Sequence, residues 1–382
     1  MVLTIALAAL LGAGAPARAA GTSGASFLQV GWGARAAAMG EAFTAAADDV
    51  DAVYWNPAGL AYVKRLQETF GHNAWLDGVN NEHAAFALRH SQSTVIGAGI
   101  GFLNVGDIER SNKYGYTEGY YGANDMALIG SYARRLKPNL AVGGNFKIIR
   151  ERIESDSAQA FALDAGGVYE MTPRLRLGAT LRNLGTGLGY KTAPAPLPMA
   201  LRAGAAFQFR PGLLLTSDIS LAFDDSLSLH FGGEYLYPSK VKGVTLKLRA
   251  GFKTAAMSYL GAMSAVSLGF GAETGAVEFG YALSPYGDLG MSHRLDLKIK
   301  FDSLTAGSAD ITVEKGGKRV TRGAAEVYGE TMTWFSAKVS SEKLSREEQD
   351  VILRRIIEKF SALGVDVSEA RQKLGGGQGA KP

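Results

Sequence analysis

Met291 to Phe301, MSHRLDLKIKF, alternates without a break: Met291, His293, Leu295, Leu297, Ile299 and Phe301 share one face, and Ser292, Arg294, Asp296, Lys298 and Lys300 the other. Successive side chains of a strand point to opposite sides, so one face of this segment suits hydrocarbon and the other water. Val244 to Lys253 repeats the pattern, setting Val244, Leu246, Leu248, Ala250 and Phe252 against Thr245, Lys247, Arg249, Gly251 and Lys253. In Met199 to Arg210, Leu201, Phe207 and Phe209 oppose Arg202 and Gln208. A soluble β-sandwich would alternate as well, with its polar face outward.

Runs of this kind, about 9 to 14 residues long, fill the chain from Glu68 to Phe301, the length and rhythm of tilted membrane strands. Pattern alone gives about 14 strands, an even count of the sort a single-chain bacterial barrel uses to close. Every second connection is tight: His90-Ser91-Gln92, Lys137-Pro138, Thr172-Pro173, Arg210-Pro211-Gly212 and Thr274-Gly275, with Pro238–Gly243 the loosest. The intervening set includes Gly106–Ala123 and Gly185–Pro198, which are expected to be long loops. Short turns at one end and long loops at the other are the habit of outer-membrane barrels, and this parity puts both ends of the barrel on the periplasmic side. Tyr114, Tyr116, Tyr120 and Tyr121 in the first long segment suit either an aromatic girdle or the lip of an external mouth.

Only 20% of the 382 residues are charged, 49 are Gly and none is Cys, so disulfides and thiolate metal sites are excluded. The net charge of +4 is modest and dispersed, which argues against nucleic acid as a partner. Met1 to Ala19 reads as a secretory signal, with an apolar stretch Val2–Leu11 and the cleavage pattern Ala17-Arg18-Ala19, although a basic leader is missing; the alternative is a buried N-terminal helix. At the other end, Ser345-Arg346-Glu347-Glu348 is a capping box followed by Val351, Ile352, Ile356, Phe360 and Leu363 at helical spacing and stopped by Gly364. Residues 302–340 are of mixed character, with a small hairpin around Gly316-Gly317; Ser368–Leu374 forms a short second helix ahead of a disordered GGGQGAKP tail. The glycine runs at 97–101 and 269–271 open no helix, so they are barrel glycines and not phosphate loops. His72, His83, His90, His230 and His293 lack ligand spacing, no nucleophile elbow is present, and Asp48, Asp49 and Asp51 fit a capping or solvated role better than calcium ligation. No metal, cofactor or enzymatic activity is expected, a hydrolase with a dispersed triad being the residual alternative.

Ahead of the strands lies GARAAAMGEAFTAAADDVDAVYWNPAGLA, Gly33 to Ala61, helical in character and crowded with Ala and Gly that permit close backbone packing. Pro57 fixes its own φ and keeps Asn56 out of the α region, so the chain turns there, with an Asn side chain suited to bonding nearby backbone. From Phe27 to Leu60, through GARAAAMGEAF, DDVDA and WNPAGL, the chain resembles the N-terminal signature of the PorV/PorQ family, which belongs with the FadL-type outer-membrane transport proteins. The resemblance implies an all-β transmembrane barrel of 14 antiparallel strands, again about the number the pattern supports. The expected divisions are 1–19 signal, 20–67 hatch, 68–301 barrel and 302–382 periplasmic extension, in the outer membrane of a Gram-negative-type bacterium with both termini periplasmic.

Two functions follow from the resemblance. As a FadL-type barrel, the chain would bind a hydrophobic or amphipathic small molecule and release it by hatch rearrangement or sideways opening, with Trp55, Asn56, Pro57, Ala58 and Gly59 as the hatch residues and Asn56-Pro57-Ala58 anchoring it to the first strand. As a PorV-type accessory of type IX secretion, it would bind C-terminal signals of exported proteins. The inward face is basic, with Arg174, Arg176, Arg182, Arg202, Lys247, Arg249, Lys253, Arg294, Lys298 and Lys300. Either this is an ordinary solvated wall, or Arg202, Arg249, Lys253, Arg294 and Lys298 attract an anionic headgroup. Membrane lipid is expected around such a wall, and the aromatic residue ending its last strand, Phe301, resembles the signal that barrel-assembly machinery reads. The Ile352, Ile356 and Phe360 face is expected either to dock a periplasmic protein or to pack under the barrel as its own lid; the extension itself departs from the family's compact barrel.

Overall fold

The computed structural model describes residues 22–190, 194–239, 241, 243–255, 257–301, 310–315, 318–342, 344–361 and 367–375. The signal reading at Met1–Ala19 and all but the first residue of the C-terminal tail lie outside them. Two units separate at Lys300/Phe301.

The first unit is a closed antiparallel barrel in which each strand pairs with its sequence neighbours and the first closes on the last. Its strands are Leu66–Ala74 (β1), Asn80–Arg89 (β2), Thr94–Ser111 (β3), Thr117–Lys137 (β4), Leu140–Ile153 (β5), Asp156–Thr172 (β6), Leu175–Gly185 (β7), Ala200–Arg210 (β8), Leu213–Ala222 (β9), Ser228–Pro238 (β10), Val244–Lys253 (β11), Val266–Thr274 (β12), Val277–Pro285 (β13) and Met291–Lys300 (β14). Phe70 of β1 sits opposite Leu297 of β14, and Gly71 opposite Asp296. Alternation then sorts the faces: Leu295, Leu297 and Phe252 are exposed on the outside, whereas Arg294 and Lys298 are 4% and 2% exposed within. A sandwich with its polar face outward is thereby ruled out.

The Gly106–Ala123 segment is not a loop. β3 and β4 run on as a paired hairpin beyond their neighbours, with Ile108 opposite Tyr121 and Glu109 opposite Tyr120, leaving only residues 112–116 as the turn. Aromatic and β-branched residues favour strand there despite the glycines. Tyr114, Tyr116 and Tyr120 stand exposed on this hairpin.

The hatch plugs one end of the lumen, though it is less helical than its composition predicts. Only Ala34–Ala38 and Ala52–Trp55 are α-helical, followed by a 3-10 turn at Pro57–Tyr62. Gly40 and Glu41 adopt φ of 61° and 63°, which ends the first helix. Met39, Phe43, Val50, Val53, Tyr54, Trp55, Leu60 and Val63 make a core with small wall residues such as Ala85, Ala87 and Ala133. The wall admits this backbone because it is notched: a side chain at Gly251 of β11 would collide with the Met39-Gly40 peptide, and a Cβ at Gly143 of β5 would lie 2.5 Å from the Ala58 nitrogen.

The second unit pairs Asp310–Lys315 (β15) with Lys318–Gly323 (β16), as the hairpin reading expects. Helices follow at Ala324–Glu342, Arg346–Ser361 and Ser368–Gly375. The first of these was not legible in the mixed stretch ending at residue 340: β-branched Thr331 and Thr333 interrupt its pattern, and their hydroxyls donate to the carbonyls of Val327 and Gly329. At the capping box, the Ser345 amide donates to Glu348 Oε2 at 2.8 Å. Ile356 and Phe360, 6% and 3% exposed, pack with Tyr328, Met332, Phe335 and Leu353, and Ile352 lies beside them. The proposed docking face is therefore taken up by the unit's own core, a correction that follows from the extra helix.

Candidate functional site

Asn56 and Pro57 set the geometry of the lower lumen. Pro57 leaves Asn56 extended (φ −157°, ψ 104°), so its side chain reaches out to the wall. Its Nδ2 donates to the carbonyls of Thr44 at 2.7 Å and Gly167 at 3.3 Å, while Oδ1 accepts from the Ala58 amide at 3.2 Å. Gly167 lies on β6 and the Ala58 peptide presses on β5, so the anchor is to these strands and not to β1. Gly59 is equally confined, since a side chain there would meet the Ala47 carbonyl. Trp55, 1% exposed, donates from Nε1 to the Trp32 carbonyl at 2.8 Å and packs edge-on against Phe43 and Tyr54.

Ion pairs complete the attachment. Arg35 forks onto Glu234 of β10 at 2.9 and 3.0 Å and reaches Asp48 at 2.7 Å. Lys298 bridges Asp49 and Asp51 at 2.6 and 2.9 Å. Asp218 accepts from the amides of Phe43 and Thr44 at 3.0 and 2.9 Å, and Asp296 accepts from that of Ala34. Burial by itself would raise the Asp48 carboxyl, but the guanidinium groups of Arg35 and Arg176 outweigh it and hold the pKa at about 2. Glu41 is likewise depressed, burial being overcome chiefly by Lys253.

Above this floor is a cavity of about 510 Å³, open toward the end of the barrel that carries the β1–β2, β7–β8, β9–β10 and β13–β14 connections. Phe27, Leu28, Val30, Trp75, Val79, Leu103 and Val105 supply apolar lining; Glu41, Tyr54 and Trp55 form the hatch side; Arg182, Arg202, Lys253, Arg294 and His230 bring polar groups from the wall. Of the five headgroup candidates, Arg202, Lys253 and Arg294 border the cavity. Arg249 and Lys298 do not: Arg249 is spent on Glu234 and Glu278, both at 2.8 Å, and Lys298 on the hatch carboxylates. Their place in the inward alternation was legible, their partners were not.

Two residues outside that set matter. Between Leu163 and Ala165 the β6–β7 register slips, and Asn183 takes a left-handed φ of 58°. This bulge turns both Arg182 and Asn183 inward, breaking period two. Asn183 accepts from Lys147 at 2.8 Å and donates to the Pro198 carbonyl at 2.9 Å, with its amide on Asp164 at 2.8 Å. Lys147 and Asp164 form a fully buried pair at 2.7 Å behind it. Two successive polar residues in an otherwise alternating strand were the signal for this bulge.

Comparison with known proteins agrees with this architecture. A family model described as Type IX secretion system protein PorV matches residues 14–223, which contain the whole hatch. A UPF0164 protein of Treponema pallidum (strain Nichols) is 30% identical over 206 residues, 47% of this chain and 47% of that one, so the chain spans about half the length of the curated relative it matches. Among solved structures, the CymD monoaromatic hydrocarbon channel superposes with a TM-score of 0.51 at 13% identity, over 71% of this chain and 96% of that one. The toluene transporter TbuX of Ralstonia pickettii gives 0.49 at 14% identity, over 70% and 97%. At such identities the CymD likeness speaks to the fold alone. The family match covers more than half of the chain, from ahead of the hatch through β9, and the protein is a member of the PorV family.

Proposed function

We propose that this barrel binds an amphipathic small molecule in its lumen and serves its passage into or across the outer membrane. The observation that carries this reading is the cavity itself: apolar side chains, three arginines and a lysine line it above a floor built from the hatch. Such a site suits a ligand with a hydrocarbon body and a negative head. Entry is from the open end of the cavity, which by the loop-length habit of these barrels faces outside, with both termini periplasmic. Departure through the floor would require the Asn56, Arg35 and Lys298 attachments to break together. A sideways route would instead require the β14–β1–β2 pairing to part near the outer-wall hollow of about 480 Å³ that Phe70, Phe102, Phe279, Leu295 and Leu297 surround.

The family match favours a second reading, in which the barrel receives C-terminal segments of exported proteins as a type IX accessory. Its β14, amphipathic and followed by Phe301, is in either case the segment offered to barrel-assembly machinery. Mass spectrometry of the protein extracted in mild detergent separates the two. The ligand reading expects a co-purified amphiphile that is lost in Ala200→Trp, which fills the cavity from the wall. Absence of any amphiphile, together with capture of exported C-terminal segments, would decide for secretion.

A further inference from the structure

The cavity floor is not balanced in charge. Arg182, Arg202, Lys253 and Arg294 border it, while the carboxylates within ion-pair reach of them are Glu41, 2.8 Å from Lys253, and Asp218, 3.4 Å from Arg202. Among the described residues four cations thus face two carboxylates at ion-pair distance, since Asp164 behind Arg182 is neutralised by Lys147 at 2.7 Å. Asp125 and Asp225 also line the cavity, but from β4 and the β9–β10 connection, and neither is ion-paired with these cations among the described residues. Burying uncompensated charge is costly, and such groups are ordinarily paired or hydrogen-bonded.

The donors point the same way. The guanidinium groups of Arg182, Arg202 and Arg294 belong to residues 5%, 4% and 4% exposed, and in each the buried Nε lacks a hydrogen-bond partner. Their orientation is fixed. Arg182 lies 4.1 Å over the Tyr54 ring and Arg202 5.1 Å over that of Trp55, while Arg294 donates to the Gly31 carbonyl at 3.1 Å. Three prearranged planar donors with an excess of two positive charges exceed what one carboxylate can satisfy with two oxygens and a single charge. A phosphate monoester brings three terminal oxygens and a charge of about −1.5 to −2. Resting on the amphiphile reading above, we propose that the floor is a phosphoryl site: Arg182, Arg202 and Arg294 receive the phosphate head of an amphiphile whose tail lies against Phe27, Leu28 and Leu103.

Titration of the full-length protein in a nonionic detergent, followed by its tryptophan fluorescence, to which Trp55 and Trp75 contribute from the cavity lining, tests this with three probes. Dodecyl phosphate should bind at least about tenfold more tightly than dodecanoate, a difference of about 1.4 kcal/mol. Inorganic phosphate should bind more weakly than dodecyl phosphate. Arg182→Gln and Arg294→Gln should each weaken dodecyl phosphate by a larger factor than dodecanoate and so erase most of the preference; Arg182→Lys, which retains charge but not the planar fork, serves if the Gln variants fail to fold and should also reduce it. Dodecanoate binding as tightly as dodecyl phosphate would overturn the phosphoryl assignment and leave the amphiphile reading standing. Inorganic phosphate matching dodecyl phosphate would keep the anion chemistry and overturn the lipid source. Failure of both dodecyl probes to bind would sink the amphiphile reading along with it.

Discussion

Asn56 shows how much one side chain holds in this lumen. Replacing it by Ala strands two buried carbonyls and the Ala58 amide at once. Leaving buried polar groups unpaired costs about 1–3 kcal/mol each, so Asn56→Ala should lower the stability of the barrel by at least about 3 kcal/mol, read as a lower urea midpoint in micelles. Asp48 carries a pH dependence of definite sign. Its pKa falls from the ordinary 3.8 to about 2 on folding, so its contribution is complete above about pH 4 and disappears as the pH drops through 2. Wild-type protein should therefore lose stability between pH 4 and 2 by more than Asp48→Asn does; equal slopes in the two proteins would contradict the assignment.

At the level of the element, the wall was legible and the hatch only partly so. Strict alternation in β11 and β14 defines two faces without knowledge of any partner, and tight Pro- and Gly-containing turns fix the strand order. Nothing local says that Arg249 is satisfied by Glu234 and Glu278, because both come from other strands. In the hatch, small residues read as helix, but the left-handed Gly40 and Glu41 break it and the surrounding wall dictates the path. The helical unit teaches a similar lesson: an apolar stripe of Ile352, Ile356 and Phe360 does not disclose whether its cover comes from the same chain. With the cover now identified as the helix Ala324–Glu342, Ile356→Asp places a charge in a closed core and should cost more than about 3 kcal/mol. Limited proteolysis of the full chain should then cut within residues 324–375 while the barrel stays intact. Asn183→Val is the corresponding test of the β7 bulge: a β-branched residue tolerates φ of 58° poorly, and the variant should lose most of the preference for dodecyl phosphate over dodecanoate along with the Arg182 placement.

For the molecule as a whole, the account rests on a closed wall and a hatch that is built into it and does not swing, so that the cavity has a permanent floor. The absence of cysteine makes a direct measurement clean. A Cβ at Gly280 of β13 would lie 3.4 Å from that of Ala34 at the start of the hatch, close to the spacing a disulfide needs. In the Ala34→Cys, Gly280→Cys double variant, the account predicts near-complete disulfide formation under mild oxidation, with ligand binding at the cavity unchanged by the cross-link. Thiols that stay free to maleimide, or a cross-link that abolishes binding, would contradict a fixed hatch.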